Sequence, residues 1–213
     1  HAANLFGLKE FGNIYSRLGN PTVGALEARL TALEEGAMCV ALSSGTSAVM
    51  YSLINIMSQG DNFVTANQLY GGTYTMFDNI LPEYGIDSKK VDITDLEAVE
   101  AAIDDKTRAI YCETITNPGL VVADISALAD IAHSKGIPLI VDATFTTSAI
   151  LKPFEYGADI VVYSLTKWMS GHGRVIAGAV IEKGGFDWGN GNFPLYDKPD
   201  TSYGGMRWGH DLG

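Results

Sequence analysis

Basic residues are scarce in this chain, and cysteines scarcer. Lysine and arginine number 14 against 25 aspartates and glutamates, a net charge of -11. Proteins that grip a phosphate backbone need basic patches, so this balance excludes nucleic acid as the main partner. It leaves room for a small anion held locally. The two cysteines, Cys39 and Cys112, lie inside the apolar runs AMCVAL and AIYCE. They read as core residues of a protein in a reducing compartment, and a cytoplasmic location is the expectation. No stretch has the length of a membrane span or the build of a secretory signal. Histidine is rare too, and His172 in GHG has no second histidine at ligand spacing, so no metal site is expected. Repeats and low-complexity tracts are missing. So are the G-x-G-x-x-G dinucleotide fingerprint, the P-loop and the G-x-S-x-G nucleophile elbow.

What is present is globular in composition, 46% hydrophobic and 18% charged, with 24 glycines for tight turns. From residue 20 onward, short apolar runs alternate with helical patterns. Asn20 and Pro21 start a helix that Gly36 stops, with Leu26, Leu30 and Leu33 as its apolar stripe. Strands are expected at 37–42, 62–66, 108–113, 138–142, 159–165 and 175–181. Helices are expected at 46–57, 72–80, 96–103 and 126–135. Such alternation builds an α/β fold, a mostly parallel sheet with helices on both faces. Residues 1–20 and the aromatic tail 184–213 fit the pattern poorly, which bounds a central domain at 21–183.

In a sheet of this kind, ligands bind at the carboxyl ends of the strands. SSGTS (43–47) follows the first strand and opens a helix, whose free N–H groups suit an anion; a plain N-cap by Ser43 or Ser44 would use the same residues. Tyr70 in LYGGTY and Asn117 in TNPG sit on the same rim. Asp142 ends its strand, and Ser164, Thr166 and Lys167 follow theirs. Lysine is rarely buried without a partner. One directly after the apolar DIVVYSL, in a crevice with a carboxylate, suggests an amine whose acidity is tuned, with a structural ion pair as the bland alternative. A single ligand accounts for the set: a planar, anionic aromatic aldehyde, pyridoxal 5'-phosphate (PLP). Lysine would form the Schiff base, the helix N-terminus would hold the phosphate, the carboxylate would keep the ring nitrogen protonated, and the tyrosine would stack.

DIVVYSLTKWMSGHG resembles the lysine signature of the Cys/Met-metabolism family of PLP-dependent enzymes. YSRLGNPT, SSGTSA, YGGTY, ETITNP and VDATF match its other motifs in order. The resemblance implies the large domain of PLP-dependent transferase fold type I, the aspartate aminotransferase-like fold. It implies that Lys167 carries the cofactor and that Asp142 pairs with the ring nitrogen. Gly45 and Thr46 would give N–H groups to the phosphate, with Ser164 and Thr166 adding hydroxyls. Tyr70 would stack on the ring and handle a proton near the leaving group, and Asn117 would contact the ring hydroxyl. Tyr15 and Arg17 would reach the phosphate of a neighbouring subunit, making a dimer the catalytic unit of a homotetramer.

NIYSRLGNPT, TKWMSGHG and GGFDWGNGNFP are most similar to the family's O-acetylhomoserine sulfhydrylases. The implied reaction is γ-replacement on O-acetyl-L-homoserine by sulfide or a thiol, giving homocysteine or methionine plus acetate. The sibling reactions are those of methionine γ-lyase and cystathionine γ-synthase; a non-catalytic PLP-fold protein is the alternative of another class. Two positions depart from the family pattern: Ala143 where asparagine is usual, and Ser148 where proline is common. Of the five arginines (17, 29, 108, 174 and 207), none matches the family's carboxylate-binding arginine. That residue belongs to a smaller C-terminal domain, expected beyond the tail of what reads as part of a longer protein, with further residues expected before His1.

Overall fold

The run NFVTA is buried at every position, as a strand covered on both faces requires. It forms β2 of a sheet seen here in a computed structural model that describes residues 1–6, 10 and 12–211. The strands are β1 (Met38–Leu42), β2 (Asn62–Ala66), β3 (Asp87–Val91), β4 (Thr107–Glu113), β5 (Leu139–Asp142), β6 (Ile160–Ser164) and β7 (Gly178–Glu182). Around them lie α1 (Ala2–Phe6), α2 (Pro21–Glu34), α3 (Gly45–Ile54), α4 (Gly71–Thr75), α5 (Leu96–Ala102), α6 (Ile125–Ser134), α7 (Thr147–Ile150), α8 (Pro194–Asp197) and α9 (Trp208–Asp211). The helix expected at 72–80 is α4 continued by a π-helical turn over Met76–Ile80.

The strand order is β1-β7-β6-β5-β4-β2-β3. The pairs from β3 to β6 are parallel. β7 runs antiparallel to both β6 and β1. The sheet is therefore mostly parallel with an antiparallel edge, and the last strand begins at Gly178 rather than at residue 175. β3, DSKKV, is a strand that hydrophobic patterning misses. It is an edge strand paired only with β2, and its lysines bond Asp104 and Asp78. Charged side chains are usual on an edge.

Alternation along β6 sorts the helices onto two faces. Ser164 packs against Gly45 at the start of α3, whereas the Tyr163 hydroxyl donates to Glu34 at the end of α2. α3 and α2 thus cover opposite faces. On the α3 side Phe77 stacks edge-on against Phe63 and Tyr111. The stripe of α2 is only partly the expected one: Leu30 is buried, Leu26 is 42% exposed, and the fully buried position is Glu34. Both cysteines are free and buried. The aromatic stretch after β7 packs on the body. Phe193 is wholly buried, Tyr196 accepts from Asn55 at 2.7 Å, and Asn192 reaches the Gly136 carbonyl. No helix is long and apolar enough to cross a membrane among the described residues.

Candidate active site

A cleft of about 950 Å³ opens at the carboxyl ends of β4, β5 and β6. Eight of the residues singled out in the sequence line it: Gly45, Thr46, Tyr70, Asn117, Asp142, Ser164, Thr166 and Lys167. Tyr15 and Arg17 do not. They are exposed in the segment before α2, with the Arg17 guanidinium 5.2 Å from the Tyr15 ring centre.

One end of the cleft is built by α3. Ser44 caps the helix by accepting from the Ser47 N–H at 3.0 Å, so the capping role read from SSGTS is real. It leaves the Gly45 and Thr46 N–H groups without an intrahelical partner, as the first turn of any helix does. The positive end of the helix dipole lies with them. Position 45 must be glycine: a Cβ there would stand 2.4 Å from the Cβ of Ser164. The absent side chain lets the helix start close against β6, beside the Ser164 hydroxyl. Thr166 is already engaged, donating to the Ala177 carbonyl at 3.2 Å and accepting from the Ala177 N–H at 3.1 Å.

The floor is acidic. Asp142 accepts from the Thr144 N–H at 2.9 Å and from the Tyr111 hydroxyl at 3.3 Å. Burial pushes its carboxyl above the ordinary range, and these hydrogen bonds only partly oppose that. A half-buried carboxylate in that condition is stabilised by an approaching cation. Lys167 is not that cation: it is exposed on the cleft wall, and no ion pair joins it to Asp142 among the described residues. The structural ion-pair alternative is thereby set aside.

One site residue was missed. Glu113 ends β4 beside Asp142, with which it is in register. Its Oε1 accepts from the Tyr70 N–H at 2.7 Å and its Oε2 from the Asn117 N–H at 3.0 Å. Burial, and secondarily the charge of Asp142, raises its pKa to about 7. The available signal was an acid ending the buried run RAIYCE, the same signal that marked Asp142.

Ala143, expected beside a bound ring, is fully buried and does not line the cleft; Thr144 does. Of the arginines, Arg174 lines the cleft. Arg108 pairs with Asp61 at the other end of β4, and Arg207 with Asp211.

The donor set fits pyridoxal phosphate: free N–H groups at a helix start, a hydroxyl beside them, a half-buried carboxylate, an aromatic ring and an amine on one cleft. Comparison with known proteins agrees. The family model described as Cys/Met metabolism PLP-dependent enzyme matches residues 1–199. The chain belongs to that family. An O-acetyl-L-homoserine sulfhydrylase from Leptospira meyeri is 48% identical over 97% of this chain and 47% of its own length. A crystal structure from Campylobacter jejuni, described as an O-acetylhomoserine (thiol)-lyase with pyridoxyl-lysine phosphate, superposes with a TM-score of 0.94. It is 41% identical, over 98% of this chain and 52% of that one. A cystathionine gamma-lyase from Lactobacillus plantarum, complexed with L-serine, reaches a TM-score of 0.78. It is 41% identical over 82% of this chain and 46% of its own. The fold is that of the PLP-dependent lyases and transferases of fold type I. The chain spans about half the length of the curated relatives it matches.

Proposed function

We propose that the protein catalyses γ-replacement on O-acetyl-L-homoserine with sulfide or a thiol, releasing acetate and giving homocysteine or methionine. The observation that carries this reading is the convergence of Lys167, Asp142, Tyr70 and the α3 N-terminus on one cleft. The sulfhydrylase relative at 48% identity supports the choice among sibling reactions.

The roles divide by chemistry. Gly45 and Thr46 N–H groups and the Ser164 hydroxyl hold the phosphate. Asp142 holds a proton on the ring nitrogen, and Tyr111 and Thr144 fix the carboxylate in place. Tyr70 covers the ring face and Asn117 contacts the ring hydroxyl. Bound there, the cofactor supplies an electron sink beside the substrate Cα. Lys167 would hold the cofactor through its amine and would accept the Cα proton of the substrate. Its side chain is exposed on the cleft wall, free to reach that atom. Tyr70 handles the proton near the leaving acetate.

The tail 184–213 leads, in this reading, to a smaller C-terminal domain that clamps the substrate carboxylate. Residues 1–20 reach a neighbouring subunit, where Tyr15 and Arg17 complete the phosphate site. The dimer is then the catalytic unit of a cytoplasmic homotetramer. Arginine suits that task because its planar fork grips two phosphate oxygens.

The likeness to a cystathionine gamma-lyase favours a second reading, elimination with water as the acceptor. The test is a product assay of the full protein with O-acetylhomoserine plus sulfide, beside methionine alone and O-acetylhomoserine plus cysteine. Homocysteine and acetate from the first mixture are expected. Release of a 2-oxo acid and ammonia from methionine, or cystathionine from the third mixture, at a higher rate would overturn the assignment. A protein that retains no yellow colour once unbound PLP is removed would belong to the non-catalytic class.

A further inference from the structure

We propose that Glu113 is a positioning residue whose buried carboxylate clamps the loops bearing Tyr70 and Asn117 to the end of β4, and so holds both side chains over the cofactor face of the cleft. Each carboxylate oxygen takes one N–H, from Tyr70 at 2.7 Å and from Asn117 at 3.0 Å. The residue is 6% exposed, so water does not compete for those bonds. Tyr70 needs such an anchor because its side chain supplies little of its own, being 48% exposed. It also precedes α4, a helix start with no side-chain cap. The ring lies back over Gly72, where an added Cβ would meet it at 2.7 Å. The backbone N–H and that bare glycine therefore set where the ring stands.

The clamp also has a charge state. The titratable groups facing Glu113 are Asp142 on β5, with Tyr111 and Cys112 on its own strand. All are neutral or negative, and no cation is among them. As a carboxylate Glu113 accepts both N–H groups. Protonated, one oxygen becomes a donor and one N–H loses its partner. Its folded pKa near 7, raised mainly by burial, sets the clamp to loosen below neutral pH in cofactor-free protein. A cationic ring nitrogen seated on Asp142 would cancel the charge that helps to raise it and favour the two-acceptor form. Cofactor binding and the two-acceptor form of the clamp are in this way coupled. The coupling deepens the cofactor reading and rests on it, whereas the clamp itself is testable without cofactor.

The experiment measures amide hydrogen exchange, corrected for intrinsic rates, in cofactor-free protein and in Glu113→Gln, together with PLP affinity. Glutamine offers one acceptor where two are needed. At pH 8, Tyr70 and Asn117 should lose protection by about tenfold or more. Thr114, whose N–H bonds the Asp142 carbonyl, should keep its own. PLP should bind about tenfold more weakly. Should the variant not fold, the wild-type protein still decides: the same two amides should lose protection as pH falls through about 7, with Thr114 steady. Unchanged protection at Tyr70 and Asn117, or loss only in step with Thr114, overturns the clamp. Wild-type protein that binds no PLP overturns the cofactor reading instead, and leaves the exchange result to judge the clamp.

Discussion

Gly45 lies so close to Ser164 that a methyl group on its Cα would stand 2.4 Å from the serine Cβ. Gly45→Ala should therefore push α3 away from β6. Overpacking of this kind costs about 1–3 kcal/mol, read as a lower denaturation midpoint. It should also weaken PLP binding by more than the stability loss alone, because the N–H pair moves with the helix. Normal PLP affinity in Gly45→Ala would show that the phosphate is held elsewhere.

Borohydride reduction of the PLP-loaded protein, followed by peptide mass analysis, should find a pyridoxyl phosphate group on Lys167. Lys152 should remain unmodified, since it is paired with Glu35 away from the cleft. Modification of Lys152 or Lys183 in place of Lys167 would refute the assignment. Lys167→Ala should abolish turnover while leaving the unfolding transition in place.

Asp142→Asn keeps the shape of the side chain and removes its charge. A hydrogen bond to a charged group is worth about 1.5–3 kcal/mol, so turnover should fall roughly tenfold to a hundredfold. Tyr111→Phe removes only one donor to the same carboxylate and should cost less, about 1 kcal/mol. Wild-type rates in Asp142→Asn would remove the electron-sink role from this residue.

Glu34 offers a stability test away from the cleft. Burial raises its pKa, opposed chiefly by the Tyr163 hydroxyl, and its second oxygen has no partner. A raised folded-state value means that the fold favours the neutral acid. Its contribution is fully present at acid pH and is lost as pH rises through the raised value. Subtracting the stability–pH curve of Glu34→Gln from that of the wild type should leave a difference that falls in that direction. Tyr163→Phe should cost about 1–3 kcal/mol by leaving the buried Glu34 side chain without the Tyr163 hydroxyl. A flat difference curve would show that Glu34 titrates alike in the folded and unfolded states and that burial does not perturb it.

Most of the sheet and much of the cleft were legible because the same physical signal marked both. Apolar β-branched runs end in polar residues where parallel strands reach the ligand rim, and Asp142, Ser164 and Lys167 announce themselves in that way. β3 stayed hidden because an edge strand buries little and carries charge, so DSKKV has no pattern to read. The reversal of β7 was also unreadable, since alternation does not encode strand direction. Glu113 escaped because its work is done on backbone N–H groups, one in the loop that follows its own strand and one 43 residues away in sequence, and no side-chain pattern records such bonds. Glu34 escaped because an acid on a leucine-striped helix reads as solvated, yet it is the fully buried member of that face.

The reversal of β7 bears on the lysine itself. Ser164 and Gly178 are partners across the β6–β7 ladder, and Thr166 and Ala177 bond each other just beyond. The segment between is therefore a hairpin, zipped at its stem, with Lys167 one residue past the last zipped rung, Thr166–Ala177. The exposed tip, Gly171 to Ile176, carries Arg174 into the cleft. Residues at the tip can be exchanged, and that wall of the cleft reshaped, without shifting the stem beside Lys167. The architecture separates the part of the loop that must never move from the part on which new specificities can be tried.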